Sequence, residues 1–210
     1  MKLENGDMLE TYVKKILSSR VYELAEETPL TPAPLLSRRL GPQVFLKRED
    51  LQPVYSFKLR GAYNKISQLS DAQKAAGVIT ASAGNHAQGV AMASKHLGIQ
   101  AIIVMGHNTP SIKVNAVKDR GAKVILHGDN FDEAAIHAKM LCKEQGLTFI
   151  PPYDDAEVIA GQGTIGLEIV NQHNGPIDAI FIPVGGGGLL AGGAAYVKYL
   201  HPKTRIIGVE

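Results

Sequence analysis

The chain has 210 residues, with 22 lysines and arginines against 20 aspartates and glutamates, so its formal net charge is +2. So small a charge favours neither a nucleic acid nor a membrane surface as partner, and no stretch reaches the roughly 18 apolar residues of a membrane span. The single cysteine cannot pair within the chain and residues 1–10 lack an apolar run, so we expect a cytoplasmic location.

The first predicted element is an amphipathic helix, and a proline-rich crossing follows it. Apolar residues recur at helical spacing from residue 9 to residue 17 (Leu9, Tyr12, Val13, Ile16 and Leu17). The stretch TPLTPAPL, residues 28–35, cannot form a regular helix because each proline removes a backbone donor.

Short apolar runs separated by helical patterns then continue to the end of the chain. Four glycines, Gly77, Gly98, Gly121 and Gly146, stand where a left-handed helix cap is expected. This alternation predicts the α/β class, with mostly parallel twisted sheets and helices on both faces. The predicted strands are residues 44–47, 77–81, 101–105, 123–127, 148–150, 179–184 and 205–209.

The first loop whose residues could take part in a reaction is LKREDLQPVYSFKLRGAY, residues 46–63. Ser56 is the expected N-cap of a helix whose first turn contains Lys58. A helix amino terminus and an apolar neighbour such as Phe57 both disfavour the lysine cation, which lowers its pKa and favours attack on an aldehyde. Taken alone, however, Lys58 is better explained as an ordinary surface charge, because lysine is rarely buried, and only the three loops together favour the chemical role.

The second loop, TASAGNHAQG (residues 80–89), contains small and amide-bearing side chains after a predicted strand. Ser82, Gly84, Asn85 and His86 offer donors to a carboxylate or a ring oxygen, although ordinary helix capping explains part of this composition. No histidine has the partner spacing of a zinc site, so we expect no metal.

The third loop, PVGGGGLLAG (residues 183–192), has four consecutive glycines between a strand and a helix. Its backbone N–H groups and the helix dipole form a cradle for an anion such as a phosphate. A relaxed dinucleotide fingerprint, Gly186, Gly188 and Ala191 with Glu210 as the ribose partner, keeps an NAD-dependent oxidoreductase open as an alternative.

Together, SFKLRGA (56–62), SAGNHAQG (82–89) and PVGGGGL (183–189) resemble the motifs of the second fold type of pyridoxal-phosphate enzymes, with tryptophan synthase β-like architecture. The flanking stretches LKREDLQPVYSFK and IPPYDDAEVIAGQGT are most similar to the biosynthetic threonine dehydratases. The resemblance runs from about Val21 to Glu210. It implies a large cofactor-binding domain that includes residues 1–55 and 151–210, and a small domain of residues 56–150.

The resemblance also implies roles for the residues of the three loops. Lys58 would hold pyridoxal 5'-phosphate covalently, with Phe57 beside the ring, and Asn85 would bind the ring oxygen. The 5'-phosphate would bind at Gly185, Gly186, Gly187, Gly188 and Leu189, and the substrate carboxylate at Ser82, Ala83, Gly84, Asn85 and His86.

The implied reaction is β-elimination of L-threonine to 2-oxobutanoate and ammonia, a step of isoleucine biosynthesis, with Lys58 removing the Cα proton. Serine dehydratases and racemases share these loops and remain an alternative. The implied whole protein is a homo-oligomer, a dimer or a tetramer.

This sequence departs from the family in two respects. The family's large domain continues past the point where this chain ends, directly after a predicted strand, so we expect a truncated chain that is inactive or nearly so alone. Gly106 stands where relatives usually have proline, which we expect to loosen one loop without affecting the chemistry.

Overall fold

The computed structural model describes the backbone of residues 5–210. The expectation about residues 1–10 therefore falls partly outside the described residues. The helices are α1 (Asn5–Leu17), α2 (Pro34–Leu40), α3 (Lys58–Ser67), α4 (Asp71–Ala76), α5 (Asn85–His96), α6 (Ser111–Lys118), α7 (Phe131–Glu144), α8 (Ala156–Gln172) and α9 (Gly188–Leu200). The strands are β1 (Leu30–Pro32), β2 (Phe45–Lys47), β3 (Val78–Ala81), β4 (Ala101–Met105), β5 (Lys123–Leu126), β6 (Thr148–Phe149), β7 (Ala179–Pro183) and β8 (Arg205–Val209).

The largest sheet among residues 5–210 is parallel and has four strands in the order β5-β4-β3-β6. Successive side chains of a strand point to opposite faces, and β4 follows this rule closely. Ile103 and Met105 pack with side chains of α3, α5 and α6, whereas Ile102 and Val104 pack with those of α7. The prediction of a parallel sheet covered on both faces is confirmed.

The other four strands form two smaller sheets. Strands β7 and β8 pair in parallel, as their apolar runs predict. The run at residues 44–47 differs from the expected βα rhythm, because β2 pairs antiparallel with β1 inside the proline-rich crossing. Pro34 then begins α2, which is consistent with proline's tolerance at the first helical position.

Glycine allows three helices to approach one another closely. A Cβ atom at Gly161 of α8 would lie 2.7 Å from Cα of Gly61 in α3, and one at Gly192 of α9 would lie 2.3 Å from the carbonyl oxygen of Ile159. Helix α8 is therefore packed directly against both α3 and α9, and this packing fixes the helix that begins with Lys58.

The predicted helix ends and the predicted first helix are largely as expected. Gly77, Gly98, Gly121 and Gly146 all have positive φ, but Gly77 has ψ 177° and so lies outside the left-handed helical region that the cap requires. In α1, Val13 and Ile16 are buried, but Leu17 is 61% exposed and does not belong to the apolar face.

Among residues 5–210, no helix combines the length and apolar character that a bilayer crossing requires.

Candidate active site

Lys58 is the first residue of α3, and its side chain points into the protein. Its Nζ donates a hydrogen bond of 2.7 Å to the carbonyl oxygen of Pro152 and lies 5.3 Å from the centre of the Phe57 ring. Burial lowers the pKa of this amine. The interpretation as a solvated surface charge is therefore wrong, and the amine is disposed toward nucleophilic chemistry.

The turn that leads into α3 contains strained backbone. Tyr55 has φ +58°, a left-handed conformation that is costly for a residue with a side chain. The prediction that Ser56 caps α3 is wrong: Phe57 occupies the N-cap position without a side-chain cap, and the buried Ser56 hydroxyl has no partner among the described residues. Phe57 has helical dihedral angles (φ −62°, ψ −15°), and no N–H group of the first turn donates to the Ser56 hydroxyl.

The second loop follows the carboxyl end of β3 and leads into α5. The hydroxyl of Ser82 accepts a 3.3 Å hydrogen bond from the N–H of Gly84, which rigidifies the turn. Asn85 begins the 12-residue α5 with an exposed side chain, so its amide is accessible at a helix amino terminus. Ser82, Ala83 and Gly84 are half-buried and lie beside it.

His86 belongs to the same loop, but its side chain turns inward. Its Nε2 lies 3.0 Å from the carbonyl oxygen of Ile150, so this nitrogen carries the proton and donates it. Burial lowers the pKa of His86 to about 4, with a smaller contribution from the nearby Lys58 charge, and the ring is neutral at pH 7. Only the backbone of His86 can therefore belong to the surface of the loop.

The glycine loop follows β7 and opens the 13-residue α9. Gly187 has φ +83°, and a Cβ atom at Gly185 or Gly187 would meet no atom within 4 Å. Open space therefore borders the loop on that side. The free N–H groups of the first turn of α9, which begins at Gly188 and Leu189, make this space suitable for an anion.

A short segment at the predicted domain boundary, residues 150–153, contacts all three loops. The carbonyl oxygen of Ile150 accepts from His86 and from the Thr80 hydroxyl at 2.8 Å, and that of Pro152 accepts from Lys58. A Cβ atom at Gly186 would lie 2.1 Å from ring carbons of Tyr153. The signal for this role was the Pro151–Pro152 pair, which removes donors and leaves carbonyl acceptors.

A charged cluster lies on the far side of α3. Arg60, fully buried, donates to Glu49 at 2.7 and 2.8 Å and to Glu168 of α8. Lys47 pairs with the same Glu168 carboxylate. Two cations thus face two anions, and together they hold α3 against α8 two residues from Lys58. This cluster was not predicted, because its members are far apart in the sequence.

A recess of about 90 Å³ lies beside the second loop, at the carboxyl ends of β3 and β4. It is separate from the Lys58 amine and the glycine loop. Its walls include the candidate substrate residues Ser82 and Ala83, together with Val104, Met105, Gly106, Asn108, Thr109, Asn130, Phe131 and Ala134.

The three loops fit a cofactor that carries an aldehyde and a phosphate. Lys58 supplies an amine of lowered pKa, the glycines leave space for an anion beside a helix amino terminus, and Asn85 presents an accessible amide. These are the groups that pyridoxal 5'-phosphate requires. Among the described residues, no group of three or more histidines, cysteines or carboxylates could hold a metal ion.

Comparisons with known proteins agree with this geometry. The chain is 58% identical to the biosynthetic, chloroplastic threonine dehydratase of Arabidopsis thaliana, an alignment that covers 99% of the chain and 35% of that protein. It is 60% identical to the biosynthetic L-threonine dehydratase of Pasteurella multocida, over 95% of the chain and 39% of that protein. The chain thus spans between a third and two fifths of these relatives.

A solved structure, the processed form of threonine deaminase isoform 2 from Solanum lycopersicum, superposes with a TM-score of 0.96 and 55% identity. This superposition covers 99% of the chain and 60% of the solved chain. Residues 21–210 match the family described as pyridoxal-phosphate dependent enzyme, which overturns the dinucleotide reading of the glycine loop and Glu210. The chain therefore belongs to the family of pyridoxal-phosphate dependent enzymes.

Proposed function

We propose that this chain provides the Lys58 and phosphate-binding part of an enzyme that converts L-threonine to 2-oxobutanoate and ammonia. The observation that carries the proposal is that one segment, residues 150–153, contacts both the Lys58 amine and the glycine loop. This shared contact supports a single site for an amine and an anion cradle that are about 130 residues apart in the sequence. The threonine dehydratases among the similar proteins support the choice of substrate.

Each loop has a separate task in this proposal. Lys58 anchors pyridoxal 5'-phosphate, Asn85 donates to its ring oxygen, and the N–H groups of residues 185–189 bind its phosphate. Residues 82–86 receive the substrate carboxylate. When bound, the cofactor supplies an electron sink that stabilises negative charge at Cα of the amino acid.

The chemistry of the chain itself centres on a proton at Lys58 Nζ. Burial lowers the pKa of this amine and so increases the fraction that is neutral and able to accept the Cα proton at neutral pH. The electron pair left at Cα forms a double bond to Cβ as the Cβ–OH bond breaks, and the hydroxyl takes up one proton, which balances the one removed from Cα, and leaves as water. Hydrolysis of the remaining product returns one water and releases ammonia and 2-oxobutanoate, so the atoms balance.

Borohydride reduction in the presence of pyridoxal 5'-phosphate tests the cofactor assignment. We expect the reduced cofactor on the peptide that contains Lys58, identified by mass spectrometry, and no label in Lys58→Ala. Lys65→Ala is the matched control, because Lys65 lies on the same helix but pairs with Asp155 at 2.8 Å. Label that persists in Lys58→Ala would refute the assignment.

Substrate choice, assembly and compartment belong to the proposal as well. Ketoacid formation from threonine and from serine, measured side by side with racemisation of serine, separates the dehydratase from the serine dehydratase or racemase alternative.

For the whole protein we propose a homodimer or homotetramer, which light scattering would reveal. We place it in the cytoplasm, and since some relatives are chloroplastic or mitochondrial, cell fractionation is the test.

A further inference from the structure

Tyr153 occupies a position that the roles proposed above do not use. It follows Pro152, whose carbonyl oxygen accepts from Lys58, and its ring packs against the glycine loop. A Cβ atom at Gly186 would lie 2.1 Å from ring carbons of Tyr153, and one at Gly188 would lie 3.0 Å from the Tyr153 carbonyl oxygen. Consecutive residues therefore contact the amine on one side and the anion cradle on the other.

The contact with Gly186 is made by the carbon framework of the ring. The atoms nearest to a Cβ at Gly186 are Cγ, Cδ1 and Cδ2 of Tyr153. The hydroxyl group is at the opposite end of the ring, so phenylalanine would preserve this contact. Tyr153 as a whole is 40% exposed, so its contact with the loop leaves part of the residue open to solvent.

A run of four glycines has more conformational freedom than any other sequence of that length. Binding an anion requires the loop to hold one conformation, and this ordering reduces the affinity. A ring packed on Gly186 and a backbone packed on Gly188 restrict the loop before any ligand arrives. Gly186 has to be glycine because the ring takes the space of a side chain.

We propose that Tyr153 is a positioning residue that preorganises the phosphate cradle and holds it in register with the Lys58 amine. The inference rests on the proposed function, because it takes the bound group to be a phosphate ester with an aldehyde. Tyr153 then raises the affinity for the cofactor by ordering the site that binds its phosphate. It takes no part in proton transfer.

The test compares pyridoxal 5'-phosphate with pyridoxal, which has the aldehyde but lacks the phosphate. The yield of borohydride-trapped label on Lys58 is measured against the concentration of each compound. Tyr153→Ala should weaken apparent binding of pyridoxal 5'-phosphate about tenfold and leave that of pyridoxal unchanged. Tyr153→Phe should behave as the wild type with both compounds.

A double-mutant cycle provides the second measurement. Gly186→Ala places a methyl group into the Tyr153 ring and should weaken binding of pyridoxal 5'-phosphate at least tenfold. In the Tyr153→Ala background the same change should have a smaller effect, because the ring is absent. Circular dichroism and thermal unfolding of each variant identify any that are unfolded, and if Tyr153→Ala is one of them, Tyr153→Leu, which also lacks the ring, replaces it in both measurements.

The outcomes separate this inference from the proposed function. If the wild type takes no label on Lys58, the proposed function fails and the inference falls with it. If the wild type is labelled but Tyr153→Ala weakens pyridoxal and pyridoxal 5'-phosphate equally, only the role of Tyr153 is overturned. An additive cycle with Gly186→Ala would overturn it in the same way.

Discussion

His86 shows how burial determines the chemistry of a single side chain. It lies in a loop of small and polar residues, and sequence reasoning placed it among the groups that meet the substrate. In the structure the ring is 3% exposed and Nε2 donates to Ile150, while Nδ1 has no partner among the described residues. A proton added to this buried ring would create a charge that water cannot solvate. The histidine is therefore a source of acid sensitivity.

His86 should make the protein lose stability as the pH falls from 6.5 to about 4. Over this range the unfolded chain binds a proton at residue 86 and the folded protein does not, so the free energy of unfolding decreases. A pKa shift from 6.5 to about 4 corresponds to about 3 kcal/mol. His86→Gln retains an N–H for Ile150 but does not titrate.

Urea unfolding of the wild type and His86→Gln at a series of pH values measures this effect. The two proteins share every other titratable group, so the difference between their profiles belongs to residue 86. The wild type should lose about 3 kcal/mol more than the variant between pH 7 and pH 4. Parallel profiles would mean that the histidine is protonated in the folded state.

The residues of the site were predictable to the extent that their chemistry is local. Lys58 and the four glycines are identified by residue type and by their position beside a strand or helix. Tyr153 and Pro152 were missed because their importance comes from contacts with residues that are far away in the sequence. Ser56 was assigned as a cap from its residue type, but the helix begins at Lys58 with Phe57 in the N-cap position.

Among the elements, strands with uniform apolar runs were the most predictable part of the fold. The runs at 101–105 and 179–184 coincide with β4 and β7 to within a residue. Sheet membership was harder, since the pairing of β2 with β1 depends on partners that a single run does not specify. Close helix contacts, which depend on which glycines face each other, were likewise invisible to periodicity.

The two central glycines of α9 give a matched test of that packing. A Cβ atom at Gly192 would lie 2.3 Å from the carbonyl oxygen of Ile159, whereas one at Gly193 would meet Cδ1 of Ile182 at an ordinary 3.4 Å. Both changes to alanine gain helix propensity of about 1 kcal/mol. At position 192 overpacking costs about 1 to 3 kcal/mol or more, because backbone must move.

Chemical denaturation should therefore separate two adjacent and chemically identical substitutions. Gly192→Ala should lower the free energy of unfolding by about 2 kcal/mol, and Gly193→Ala should leave it unchanged or raise it by up to about 1 kcal/mol. If both variants were stabilised equally, α8 and α9 would not be in the close contact that the structure describes.

At the scale of the whole molecule, a buried charge cluster joins segments that are distant in the sequence. Glu168, 1% exposed, binds Arg60 and Lys47, and it also accepts a 2.8 Å hydrogen bond from the Tyr22 hydroxyl. Arg60 in turn binds Glu49. The charges balance within the cluster, so the removal of one carboxylate leaves a buried positive charge without compensation.

Glu168→Gln should therefore destabilise the protein by about 3 kcal/mol, measured by urea unfolding at pH 7. Glutamine has nearly the same shape, so the loss reports the charge and not a cavity. Glu10→Gln is the matched control: Glu10 pairs with Lys14 at 2.7 Å, but both side chains are at least half exposed and solvent screens their attraction, so this change should have little effect on stability. Because Arg60 is two residues from Lys58 on α3, the same variant should also show weaker borohydride trapping of pyridoxal 5'-phosphate at Lys58. Equal stability losses for Glu168→Gln and Glu10→Gln would show that water enters the cluster and that its charges do not fix α3 against α8.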